Sequence, residues 1–237
     1  MEISLDIPFI RGILEDEYER ARDEIQSVGV LGALAKSQQR HDARIASAPD
    51  VGTLACRAGC TWCCHFSVDV RAVEAFGILD FVERTFTPEQ KARVYSEIRA
   101  NSTALQNLDE DERMRRNVKC PFLLEGRCSI YAARPQSCRN YHATNVAGCQ
   151  QSFEEPDNMD IDPDFAPWVY QAGTAHVDAF STAMRDAGHD VSVYELNSAL
   201  DAALSEPGAR QRFESKLPPF TTLSGDDVPV EFDDLES

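Results

Sequence analysis

The chain has 237 residues, with 40 Asp plus Glu against 23 Lys plus Arg, and a formal net charge of -17. That excess repels phosphate backbones at a distance, which sets nucleic acid aside as a partner, and no apolar run is long enough to cross a bilayer. The length suffices for a substantial core without staples, so size alone does not demand the eight cysteines.

Residues 1–12 carry Glu2, Asp6 and Pro8 in place of a basic start and an apolar run, so the expected location is the cytoplasm. From Gly12 to about Gln39, Ile13, Leu14, Tyr18, Ala21, Ile25, Val28 and Leu31 recur at three-and-four spacing and predict a helix, with Gly29 and Gly32 weakening its second half. Pro49 and Gly52 mark a loop after His41. The apolar segment Val70 to Val82 reads as a buried helix, with Ser67 or Asp69 available as its cap. Thr87-Pro88-Glu89-Gln90 places threonine at a cap, proline first and glutamine third, which predicts a helix to about Leu108.

The acid-to-base run 109–116 predicts a solvated helical face. Between Cys120 and Tyr141, Pro121, Gly126 and Pro135 favour turns and one short helix over a regular sheet. Residues 151–167 read as an exposed connection and Trp168 to about Met184 as a helix. Ser192 and Glu195, flanked by Val191 and Leu196, suggest a capping box at the start of another helix that runs to Glu206. Ala209 to Leu217 suits a short final helix. From Thr221 onward there are six acids and no base, as expected of a flexible acidic tail. Three parts result: residues 1–158 with N-terminal helices and a cysteine-rich core, residues 159–220 as a helical segment, and the tail 221–237.

All eight cysteines fall between positions 56 and 149. Cys56, Cys60 and Cys63 form C-x3-C-x2-C with Cys64 adjacent, and Cys120, Cys128, Cys138 and Cys149 follow. Soft thiolates favour zinc, copper(I) and iron–sulfur clusters. Three thiolates on a tight loop can surround one face of a cubane. Zinc remains open: Cys60-x2-Cys63 is one knuckle, but there is no second C-x2-C pair. A disulfide framework is disfavoured by the expected reducing compartment and by the ample length.

His65 and His142 are candidate nitrogen donors for a mixed site, although eight sulfurs already suffice. His176 and His189 read as packing or surface residues. Trp62 and Phe66 bracket Cys63-Cys64 and suit a shield against water or simple packing. Arg134 and Arg139 are candidate cofactor-binding residues: Arg139 to hydrogen-bond a cluster sulfur or balance thiolate charge, Arg134 for the same purpose or to anchor its loop on an acid. No phosphate-cradling glycine pattern, H-E-x-x-H motif or serine nucleophile motif is present.

Taken together, Cys56-x3-Cys60-x2-Cys63-Cys64, Cys120-Pro121-Phe122-Leu123, Gly126-Arg127-Cys128-Ser129-Ile130-Tyr131 and Arg134-Pro135-Gln136-Ser137-Cys138-Arg139 resemble the zinc- or iron-chelating cysteine-cluster family, the CxxxCxxCC proteins, over about residues 53–149. The resemblance implies metal chelation, with Cys56, Cys60, Cys63, Cys64, Cys120, Cys128 and Cys138 at the family's characteristic positions and Cys149 as a further donor. Some relatives, flagellin lysine methylases among them, are associated with an iron–sulfur centre, but no methyl-donor motif accompanies it here. The expected architecture is mainly α, an irregular helical metalloprotein whose cysteine-rich loops converge between helices. The expected function is to hold an iron–sulfur cluster, 4Fe-4S in type, for electron transfer or a modification reaction, with a protein or redox partner and no membrane. The alternatives are a structural zinc-binding protein-interaction module and a dithiol redox protein.

Overall fold

The computed structural model describes residues 4–57, 59–161 and 163–228. Helix α1, Ile7–Ser47, starts on Asp6, whose side chain accepts from Phe9 N, with Pro8 in its first turn. It is not one rod. Gly29 sits at φ 77° and ψ 164°, a conformation open essentially to glycine alone, and the chain reverses there. The predicted single helix is therefore a hairpin with arms 7–28 and 30–47, so that Arg40 reaches back to Glu17. The expected apolar series breaks there: Val28 is exposed, and in the second arm Val30, Ala33 and Leu34 take the inward positions.

Short segments follow. Strand β1, Asp69–Arg71, leads directly into α2, Ala72–Thr85. The start of α2 is set by Glu74, which accepts from Arg71 N at 2.9 Å, and not by Ser67 or Asp69. Helix α3, Pro88–Leu105, begins as expected: Thr87 accepts from Gln90 N while Gln90 accepts from Thr87 N. The charged run keeps only one turn, α4, Glu110–Met114, capped by Asp109 and Glu112. Strands β2, Leu123–Leu124, and β3, Arg127–Cys128, form a minimal antiparallel hairpin, and the short helix α5, Gln136–Asn140, carries Cys138.

Helix α6, Val146–Glu154, carries Cys149, and α7, Pro167–Asp186, runs along both arms of α1. Asp50 accepts from Trp168 N and Val169 N at 2.8 and 3.1 Å, so a distant loop supplies the start of α7. Strand β4, Val193–Glu195, pairs antiparallel with β1, Asp69 opposite Glu195 and Arg71 opposite Val193. This pairing corrects the expected capping box at Ser192. The backbone there is spent on a sheet ladder, and Glu195 itself caps α8, Leu196–Ser205, by accepting from Asn197 N and Ser198 N. Helix α9, Ala209–Glu214, completes the set.

The architecture is mainly helical and irregular. Its largest apolar cluster joins Ala21 and Leu34 of α1, Phe76 and Ile78 of α2, Ile98 of α3, Phe180 and Met184 of α7 and Leu200 of α8. No helix among the described residues is long and apolar enough to cross a membrane. Of the expected acidic tail, Thr221 and Thr222 are hydrogen-bonded to Glu206, and Asp226 bridges to Val193. Residues 229–237 lie outside the described residues.

Candidate metal centre

The first cysteine group lies on a loop that ends in a single 3-10 turn, Trp62–His65. Gly59, at φ 90°, folds the chain back so that Cys60 N donates to Arg57 O at 3.0 Å. Other segments are drawn onto this loop. Cys64 O accepts from Cys120 N at 2.8 Å, and His65 O accepts from Val118 N at 3.0 Å. Across the loop, Ala55 N donates to Ala143 O at 2.9 Å and Ala143 N donates to Cys56 Sγ at 3.4 Å.

The remaining cysteines are held from behind. Glu74, already capping α2, also accepts from Gln136 N at 2.7 Å, and Ser137 Oγ donates to Asp69 O at 2.7 Å. Those two bonds fix α5, and with it Cys138, against the β1–α2 corner. Phe153 of α6 packs on Trp62 and His65, with ring centroids 5.3 and 5.0 Å apart, which brings the Cys149 helix alongside the 3-10 turn. Phe66, on the other side of Cys63-Cys64, meets Tyr141 at 6.3 Å.

All eight cysteines are free thiols; Cys56 is exposed, Cys149 is buried and the other six lie between. The Cys63 side chain is hydrogen-bonded by that of Cys64, and this contact together with burial pushes the Cys63 thiol far up. Burial likewise raises Cys56, Cys128 and Cys138, takes Cys120 to about 12 and takes Cys149 to about 11. Charge on Cys63 would push each of these five further in the same direction. Cys63 thus stands within electrostatic reach of five other sulfurs.

The sulfurs do not close into a coordination shell. Among the described residues, no three Cys, His, Asp or Glu side chains form a group that could hold a metal ion. Protonated thiols carry no charge, and neutral sulfurs are drawn together by little more than dispersion. As a donor set they suit a soft cation in kind: several thiols, neighbouring segments, no competing disulfide.

Residues 55–160 match the CxxCxxCC family, whose description reads "Putative zinc- or iron-chelating domain". Over that segment the chain is similar to the CxxCxxCC family. No curated protein and no solved structure matches the chain. The matched segment spans every cysteine and α2 to α6, while α1, α7 and α8 pack around it.

Within the matched segment, Arg134 lies over the Tyr131 ring at 3.9 Å and reaches Asp42 of α1 at 3.4 Å. Its positive charge opposes the upward push on Cys56, Cys63 and Cys128. Arg139 is 1% exposed. Its Nε donates to Arg134 O, its Nη1 to Asp42 and its Nη2 to Ala132 O, at 3.0, 2.5 and 2.6 Å, so its reach to sulfur is electrostatic, at Cys128. Arg139 also lines a cleft of about 750 Å³ between α1 and α2, together with Gln38, Asp42 and Ala132.

His65 Nδ1 lies 3.1 Å from Thr61 O, and His142 Nε2 is buried without a hydrogen-bond partner. Two other histidines turn out to be structural features of the helices behind the domain. His41 and His176 are fully buried and stacked at 4.8 Å, and neither ring nitrogen of His41 has a partner. The signal for His176 was its place among Ala172, Ala175, Ala179 and Ala183 on the apolar side of α7.

Proposed function

We propose that this chain binds metal through the cysteines of its CxxCxxCC domain and holds an iron–sulfur cluster of the 4Fe-4S type, used for electron transfer or a modification reaction. The observation that carries the reading is the bond from Cys120 N to Cys64 O at 2.8 Å, which joins two cysteine segments 56 residues apart. Cys56, Cys60 and Cys63 are the compact donors, with Cys64, Cys120, Cys128, Cys138 and Cys149 as the further thiols. When bound, such a cluster supplies one-electron chemistry or an open iron position. Arg134 and Arg139 offset the negative charge of the deprotonated ligands, and the packed Trp62 and Phe153 rings exclude water. In this reading residues 1–158 carry the centre, residues 159–220 support it, and the free thiols suit a cytoplasmic protein.

The test is metal and acid-labile sulfide analysis of anaerobically purified protein. Iron and sulfide in comparable amounts are expected; stoichiometric zinc without sulfide, in protein from its native host, overturns the cluster. The second reading is that closed structural zinc site, favoured by the burial of Cys149, since a site made only for structure has no need of an accessible edge.

A further inference from the structure

Between Arg113 and Arg139 the chain has seven basic residues and a single acid, Glu125, although acids outnumber bases 40 to 23 over the whole sequence. Two of the seven, Arg134 and Arg139, share Asp42, and Arg113 donates to Leu108 O. Arg115, Arg116, Lys119 and Arg127 are exposed and make no ion pair among the described residues, and the same holds for Arg57 beside Cys56. Four acids, Asp109 to Glu112, immediately precede this stretch, yet among the described residues none of them forms an ion pair with these cations.

Their positions follow the cysteine segments. Arg116 and Lys119 lie within two residues of Val118, whose N–H is bonded to His65 O; Lys119 precedes Cys120; Arg127 precedes Cys128 on β3; and Arg57 O accepts from Cys60 N. The same stretch holds two exposed apolar side chains, Met114 at 50% and Tyr131 at 63%. Arginine, tyrosine and methionine are the residues enriched where proteins meet.

We propose that this cationic rim docks the acidic face of a partner protein over the cysteine-bearing loops. The inference stands whether or not a metal is bound. A compact acidic partner meets the rim alone, within about 10 Å at moderate salt, whereas a long polyanion would also run over the acidic remainder of the molecule. The exposed Met114 and Tyr131 add apolar contact that phosphate backbones do not use.

The experiment measures anisotropy of a fluorescein-labelled polyglutamate peptide on full-length protein at low salt. It compares the unmodified chain with a rim variant, Arg115→Glu with Arg116→Glu and Lys119→Glu. A control of the same charge change, Arg20→Glu with Arg22→Glu and Arg99→Glu, sits on exposed positions of α1 and α3. Circular dichroism verifies that both variants fold. The rim variant is expected to bind at least about tenfold more weakly and the control within about twofold, both effects fading with added salt. Equal weakening by the two variants, or no binding by the unmodified chain, overturns the proposal. So does tighter binding of an oligothymidylate of equal charge, or self-association in the ultracentrifuge that the rim variant abolishes.

Discussion

Arg40 grips Glu17 with two nitrogens, Nε to Oε2 at 2.6 Å and Nη2 to Oε1 at 2.8 Å, across the reversal of α1. In a straight helix those residues would stand about 35 Å apart. Glu17 is fully buried and also accepts from Ser37 Oγ at 2.8 Å, while Ser37 lies 3.0 Å from His176 Nε2. Arg44 Nε donates to His176 Nδ1, so the imidazole keeps its proton on Nε2 and passes it towards Ser37. Every link points the same way, from α7 through Ser37 to the carboxylate. Removing that carboxylate's charge leaves Arg40, one-fifth exposed, paired with Glu24 alone. Glu17→Gln is expected to cost about 1–3 kcal/mol in urea unfolding. A loss below about 1 kcal/mol would show that the two arms are held by apolar contact alone.

The reversal itself rests on Gly29. A Cβ placed there meets nothing within 4 Å, so any cost of Gly29→Ala comes from backbone conformation and not from collision. That cost should be about 1–3 kcal/mol. Gly12, also without neighbours for a Cβ but inside a regular stretch of α1, gives the opposite expectation: Gly12→Ala should stabilise by roughly 0.5–1 kcal/mol. Thermal melts of the pair separate the two cases, and a Gly29→Ala protein as stable as its parent would mean that the hairpin is not present in solution.

His41 links stability to pH. Burial drives its pKa down to about 3, with nearby Arg139 adding to the shift. An unfolded histidine takes up a proton near pH 6.5, but the native ring stays neutral to about pH 3. Between those limits the unfolded chain binds more protons, so stability falls as the solution is acidified, by up to about 1.4 kcal/mol per pH unit from this residue. His41→Phe keeps the ring stacked on His176 and removes that slope. Urea midpoints at a series of pH values provide the measurement, and an unchanged slope would mean that the His41 ring is hydrated.

Glu206 ties the beginning of the acidic tail to the body. Burial alone would raise its pKa, but hydrogen bonds from the backbone and hydroxyls of Thr221 and Thr222 outweigh it and hold the carboxyl at about 2. A depressed carboxyl stabilises fully above the unfolded value near 4.3 and loses that contribution as pH falls towards 2. Glu206→Gln should therefore raise amide exchange at Thr221 and Thr222 at neutral pH and flatten the acid limb below pH 4.3. Unaltered exchange at both threonines would argue that Phe220, buried in the core, is the true anchor.

Local chemistry made some elements legible and hid others. Thr87-Pro88-Glu89-Gln90 carries its whole instruction within four residues, so the start of α3 could be read directly. Ser192 and Glu195 have similar spacing but were misleading, because the pairing of Val193 with Arg71 is set by residues more than a hundred positions away. The cap of α7 by Asp50 is equally non-local. At the candidate centre, the cysteines and the Arg134 to Arg139 loop could be picked out by type and spacing. What could not be foreseen is that Arg139 spends its donors on Asp42 and two carbonyls, or that Phe153 covers Trp62.

The cysteine and histidine of the first loop separate ligation from packing. Cys60 follows the turn at Gly59 and has no fixed role in the apolar clusters, so Cys60→Ser should leave the helices intact while lowering metal occupancy at least about tenfold. His65 has Nδ1 against Thr61 O and its ring against Phe153, and eight sulfurs suffice for a centre without its Nε2. His65→Ala should then shift stability by about 1 kcal/mol or less through lost packing and leave bound metal unchanged. Elemental analysis of both variants, purified side by side without oxygen, gives the answer. Full occupancy in Cys60→Ser would remove that sulfur from the donor set, and a loss in His65→Ala would replace the all-sulfur centre by one that includes an imidazole.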